Sequence, residues 1–89
     1  MAANEIEFYW RPGCPFCAML RDDVERSGLP FTDVNIWEEP EAAARVRSVA
    51  DGNETVPTVF VGEHALVNPS IGELTALVRA EAPELLPGN

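Results

Sequence analysis

The sequence predicts an α/β domain in which a mixed four-stranded sheet is flanked by three helices, in the order β-α-β-α-β-β-α. Three observations predict it. Short period-2 or β-branched runs alternate with segments of helical periodicity. A helix lies between the first two strands, which makes them parallel, because a hairpin turn cannot join parallel neighbours. The last two strands are joined by a tight turn and form an antiparallel hairpin. The 89 residues allow a single domain, 1–89. A chain of this size buries roughly 60–65% of the surface its unfolded form exposes, so the core is thin but sufficient.

The first strand is Glu5–Trp10, where Ile6 and Phe8 face one way and Glu5, Glu7 and Tyr9 the other. Arg11-Pro12-Gly13 breaks it. From Cys14 or Pro15 to Ser27 the spacing predicts a helix, with Cys17, Leu20, Val24 and Ser27 on one stripe. Asp22 and Arg26 form an i,i+4 pair in the better orientation. Gly28 is a natural C-terminal stop, and Pro30 follows. Phe31–Ile36 reads as the second strand. Pro40 suits the first position of a second helix, with acids in its first turn. Glu41 and Arg45 form an i,i+4 pair there, Val46 and Val49 supply an apolar stripe, and Asp51-Gly52-Asn53 ends the helix. Thr58–Val61 and Ala65–Val67 are the third and fourth strands, turned at Gly62-Glu63 with His64. Ser70-Ile71-Gly72-Glu73 fits a capping box opening the third helix, whose buried face carries Ile71, Leu74, Leu77 and Val78. Ala82–Asn89, with two prolines, reads as a loosely held tail. The whole arrangement is thioredoxin-like.

Fifteen acids against six bases give a net charge of −9 and a pI near 4.3. This argues against nucleic acid, whose binding needs clustered Lys and Arg, and against an anionic membrane surface. The acid excess reads as solubility. All six bases are Arg, which reads as a codon bias. No apolar run approaches the roughly 18 residues of a membrane helix. Met1–Glu7 carries two acids and no base, unlike a secretory signal peptide, so the expected address is the cytoplasm.

Two cysteines and one histidine are too few for a disulfide scaffold or a four-ligand zinc site. The cysteines are spaced Cys14-Pro15-Phe16-Cys17 at a strand–helix junction, and a C-x-x-C in that setting reads as a redox pair. A thiolate at Cys14 faces the unpaired N–H groups and positive dipole end of the first helix. That setting, with Arg11 three residues upstream, favours ionisation. Cys17 sits one turn on and further inside. Cys14 is therefore the candidate attacking thiolate and Cys17 the candidate resolving thiol. The competing readings are an inert buried pair and one half of an intersubunit metal site.

Thr55-Val56-Pro57-Thr58 is the second signal. Pro57 opens a strand, where it need not donate a ladder bond. A cis Val56–Pro57 bond would turn the Val56 backbone outward, toward a substrate segment lying across Cys14. A trans proline at a strand start is the ordinary alternative. Trp10 beside the active loop is read as packing. Trp37 is read as partly buried rather than as part of a substrate groove, and His64 as solvated.

Tyr9-Trp10-Arg11-Pro12-Gly13-Cys14-Pro15-Phe16-Cys17, with Thr55-Val56-Pro57-Thr58-Val59 far downstream, resembles a glutaredoxin from about Ile6 to Ala80. Asp51-Gly52-Asn53-Glu54 before the T-V-P and Val67-Asn68-Pro69-Ser70 after it look most like the mycoredoxin branch, which serves bacteria that use mycothiol. The resemblance implies a cis Val56–Pro57, Cys14 as nucleophile and Cys17 as resolving cysteine. It implies substrate contacts from Arg11, Pro15, Phe16, Val56, Pro57 and Ser70. It implies no bound metal or cofactor, with mycothiol or glutathione as co-substrate, oxidised proteins as partners, and a monomeric chain.

Two departures bear on the thiol. Glutathione-type members carry Gly-Gly and an acid before the last helix, where this chain has Asn68-Pro69-Ser70-Ile71-Gly72-Glu73. Their Lys three residues before the first cysteine is Arg11 here. The Ser70 end of the last helix offers N–H donors to a polar ligand group and equally reads as a plain cap. The function expected is thus reduction of mixed disulfides between proteins and a small thiol, most in keeping with mycothiol. The alternatives are a dithiol donor recharged by thioredoxin reductase, of the NrdH kind, and an iron–sulfur module in which Cys14 from two subunits and external thiols hold a [2Fe–2S] cluster.

Overall fold

The structure, a computed structural model, describes residues 5–87. Residues 1–4 of the segment read for targeting, and residues 88–89 of the expected tail, lie outside the described residues. The elements are β1 (Ile6–Trp10), α1 (Pro15–Ser27), β2 (Thr32–Asn35), α2 (Pro40–Val49), β3 (Thr58–Val61), β4 (His64–Val67) and α3 (Ile71–Glu81), with a 3₁₀ turn at Pro83–Leu85. The predicted order holds. None of the described helices is long and apolar enough to cross a membrane.

The sheet order is β2-β1-β3-β4, with β1 parallel to β2 and the other pairs antiparallel. The register explains where the chemistry sits. Trp10 pairs with Asn35, and Tyr9 with Thr58, so the exits of β1 and β2 and the entry to β3 meet at one sheet end. The Cys14 loop and the Val56-Pro57 segment are thereby brought together across a separation of 42 residues.

Both sheet faces are covered, and this is why β1 is apolar on each side. Ile6 and Phe8 pack against Leu20 and Val24 of α1 and Leu74 and Val78 of α3. Tyr9 and Phe60 pack beneath Ala42, Ala43 and Val46 of α2 on the other side. The alanines let α2 approach closely but leave the aromatic rings incompletely covered. Arg45 fills that space, with its guanidinium 3.9 Å from the Phe60 ring centroid. It donates to Glu7 Oε1 at 2.6 Å and to the Tyr9 hydroxyl at 2.8 Å. Burial works against its charge, but the bonds to Glu7 and Tyr9 outweigh that and hold its pKa above the ordinary arginine value. The expected Glu41–Arg45 pair is therefore replaced by a pair with the sheet. A buried aromatic platform holds a guanidinium better than a solvated carboxylate one turn away.

Other expectations need correction. Val49 is exposed, because Ala43 and Val46 already face the sheet. Trp37 is 63% exposed rather than partly buried. Its N–H donates to Asn35 Oδ1, an Asx-type turn that carries the chain past the sheet end. The second strand is shorter than Phe31–Ile36, since both end residues turn into the cores: Phe31 meets Phe8 edge-on and Ile36 is buried. His64 is the first residue of β4, opposite Val61, and its Nε2 lies 3.1 Å from Glu81 Oε1.

Residues 82–87 are not a loose tail. Ala82 is fully buried, and Leu85 and Leu86 pack on the larger core. Pro87 lies against the end of α1, where a Cβ at Gly28 would sit 3.2 Å from its ring. Gly28 also has φ of +80°, so left-handed backbone and close approach both require glycine there.

Candidate active site

Cys14 is the N-cap of α1, in extended backbone, and Pro15 occupies the first helical turn. A proline there forfeits no helical bond and fixes the backbone at the value the turn needs. The Cys17 N–H donates to Cys14 Sγ at 3.1 Å. The sulfur thus occupies the place of a capping oxygen, at the positive end of the helix dipole. Cys17 lies one turn further, 3% exposed, on the stripe with Leu20 and Val24. The two sulfurs are bonded, with Cα atoms 5.2 Å apart. The two sulfurs thus differ in exposure, Cys14 half-buried and Cys17 buried.

Cys14 Sγ lies 3.8 Å from the Val56 carbonyl oxygen. The Val56–Pro57 bond is cis, and Pro57 is fully buried. The Pro57 carbonyl accepts from the Asn68 N–H at 2.7 Å, which ties the loop before α3 to the same site. Asn68 has φ of +51°, a value asparagine tolerates better than most residues.

The remaining predicted site residues fall on two sides of Cys14. Arg11 lines a cleft of 360 Å³ that also holds Trp10, Gly13, Cys14 and Arg21. Phe16, 62% exposed, and Ser70 line a separate groove of 230 Å³ with Met19, Asn68 and Pro69. Pro15 is exposed between them. Ser70 forms the full capping box: its Oγ accepts from the Glu73 N–H at 3.1 Å and Glu73 Oε1 accepts from the Ser70 N–H at 2.8 Å. Both groups thus have a structural use within α3.

Sequence reasoning passed over Met19 and Arg21. Met19 is 64% exposed beside Phe16. Arg21 lies two turns beyond Cys14 on the helix face that Cys14, Cys17 and Ala18 share, a spacing visible in the sequence. Its Nη1 lies 2.7 Å from Asp33, and its guanidinium stands 5.1 Å from the Trp10 ring and 5.2 Å from that of Phe8. Trp10 packs against the core as expected, but its buried Nε1 has no hydrogen-bond partner among the described residues. Those residues include no cluster of three or more His, Cys, Asp or Glu placed to hold a metal.

A helix-capping cysteine bonded to a buried partner, beside a buried cis-proline at the sheet end, defines a thioredoxin-fold thiol redox protein. The sequence profile described as Glutaredoxin matches residues 6–66, and the chain belongs to the glutaredoxin family. It is 35% identical to mycoredoxin 1 of Corynebacterium glutamicum over 81 residues, covering 89% of this chain and 99% of that protein. It is 37% identical to the hybrid peroxiredoxin hyPrx5 of Haemophilus influenzae over 59 residues, 66% of this chain; it spans only 24% of that longer protein. Among solved structures it resembles the glutaredoxin-like NrdH-redoxin of Escherichia coli, with TM-score 0.62 and 28% identity, covering 71% of this chain and 80% of that one.

Proposed function

We propose that this chain reduces mixed disulfides between proteins and a low-molecular-weight thiol, with mycothiol as the preferred thiol. The Cys14 thiolate attacks the small-thiol sulfur, the protein leaves as its thiol after taking up a proton, and the small thiol remains bonded to Cys14. A second small-thiol molecule then attacks that sulfur, which regenerates Cys14 and releases the symmetric small-thiol disulfide. Alternatively, Cys17 attacks Cys14, which frees the small thiol and forms the Cys14–Cys17 disulfide. Electrons balance on either route, because one disulfide is reduced as another forms.

The observation that carries this reading is the position of Cys14 Sγ, accepting from the Cys17 N–H and 3.8 Å from the Val56 carbonyl. The Val56 amide and carbonyl offer strand-like bonds to a substrate segment, beside a half-buried sulfur. Arg11, Pro15 and Phe16 flank that segment, Pro57 supports it from below, and Ser70 opens the far groove. The preference for mycothiol is supported by the likeness to mycoredoxin 1 and by Asn68-Pro69-Ser70 standing where a Gly-Gly-acid stretch would hold glutathione. The chain needs no bound cofactor and acts as a monomer.

The likeness to an NrdH-redoxin supports a second reading, a dithiol donor recharged by thioredoxin reductase. Supplying the oxidised protein with NADPH and, separately, a mycothiol, a glutathione or a thioredoxin reductase system separates the two. The first reading predicts fastest recovery with mycothiol. Recovery by thioredoxin reductase alone would replace it with the second, and equal or faster recovery with glutathione would overturn the mycothiol preference.

A further inference from the structure

The cleft on the Trp10 side of Cys14 has a charge unlike the rest of the molecule. The chain has fifteen acids and six bases, yet the residues lining this cleft include Arg11 and Arg21 and no acid. Asp33, 2.7 Å from Arg21 Nη1, offsets that guanidinium's charge, so Arg11 supplies the net positive charge of the cleft, and screening over about 8 Å at physiological salt separates it from more distant acids. Arg11 has no ion-pair partner among the described residues. Arg21 meets both Asp33 oxygens through Nη1 alone, so Nε and Nη2 of its planar fork remain to donate. Beneath it, Trp10 Nε1 is a buried donor with no partner, an uncommon state in a folded protein. An oxygen acceptor entering the cleft can take the Nε and Nη2 donors of Arg21 that Asp33 leaves free.

Resting on the mixed-disulfide reading, we infer that the cleft walled by Trp10 and Arg21 receives a carboxylate side chain carried by the protein half of the disulfide. The small thiol, whose sulfur Cys14 attacks, then occupies the Phe16–Ser70 side, and the residue beside the departing protein cysteine reaches across to the cleft. A substrate with Asp or Glu next to its modified cysteine is favoured over its amide counterpart. The preference belongs to the acid and not to net charge, since a chain at −9 repels acidic proteins at long range.

The test uses the full chain and two peptides that differ only in Glu or Gln beside the cysteine. Binding is measured with non-reducible thioether analogues, and turnover with the mixed disulfides. The Glu peptide is expected to bind about twofold to fivefold tighter at low salt, an exposed charge pair's worth, with the ratio shrinking as salt is added. Arg21→Gln should bring the ratio near one, and Arg21→Lys should retain part of it. Asp33→Asn, which frees the whole fork, should raise the ratio, a direction that structural damage would not produce. Equal binding of the two peptides by the unaltered protein, or an unchanged ratio in Arg21→Gln, would overturn the inference. Because binding is read without turnover, a protein that binds the Glu peptide preferentially but reduces neither disulfide would refute the proposed reaction and not the cleft.

Discussion

Replacing Cys17 by Ser separates the two routes by which a Cys14 mixed disulfide is cleared. Cys17 is 3% exposed among Leu20, Val24 and the sheet, and its sulfur is the internal partner of Cys14. Relative to the oxidised protein, the variant loses a crosslink across a sequence separation of 3, worth roughly 2 kcal/mol by loop closure. Relative to the reduced protein, it buries a hydroxyl where a thiol stood, at a cost of about 1–3 kcal/mol. For a domain of this size each kcal/mol moves Tm by about 4–8 °C, so Cys17→Ser should melt roughly 5–20 °C below reduced wild type. Cys17→Ala, which buries no polar atom, should lose less. Both variants should still reduce a small-thiol mixed disulfide, because a free thiol from solution completes the cycle. Both should fail on intramolecular protein disulfides and accumulate the Cys14-linked intermediate, visible as a mass shift under non-reducing conditions. Coupled turnover assays and intact mass spectrometry read the two outcomes, with thermal melts as the control for folding. If Cys17→Ser and Cys14→Ser lose mixed-disulfide reduction equally while folded, the monothiol route is wrong and the dithiol-donor reading takes its place.

Arg45→Ala removes the cation over Phe60 and leaves Glu7 and the Tyr9 hydroxyl without their donor; it should destabilise by about 1–2 kcal/mol, with Arg45→Met less costly because it keeps the stem, as thermal melts would show. A melt as stable as wild type for Arg45→Ala would mean that the sheet pair contributes nothing. Ser70→Ala should lower stability by about 1 kcal/mol, and Ser70→Asp, which retains a capping oxygen, should restore it. Equal losses in both variants would count against the capping role.

The sequence announced the elements whose signals are local. Gly28 stops α1, Pro40 starts α2, and Ser70 with Glu73 caps α3, and each does so through atoms within a few residues of itself. The redox pair was legible for the same reason, since helix capping and C-x-x-C spacing are both short-range. Features set by distant partners were not. Arg45 chooses Glu7 and Tyr9 over Glu41 because the sheet lies beneath it, and no periodicity within α2 reveals that. Leu85 and Leu86 fold back onto the core because α1 and α3 leave a place for them, which local proline content cannot foretell. Of the residues named from family resemblance, Arg11 shares one cleft with Cys14 while Phe16 and Ser70 line another groove, a division that local sequence does not show. Arg21 shares the Cys14 face by a spacing the sequence shows, but its contacts with Trp10 and Asp33 are set by the sheet beside it.

In the proposed reaction, the first turn of α1 and the Cys17 N–H stabilise the Cys14 thiolate once the disulfide is reduced. Absorbance at 240 nm against pH, in a Cys17→Ala variant with one remaining thiol, measures this directly. The helix N-terminus and the Cys17 N–H should bring its midpoint below that of a free cysteine, so that reactivity falls as the solution is acidified through that midpoint. A midpoint at or above about 8.5, the value of a free cysteine, would contradict it.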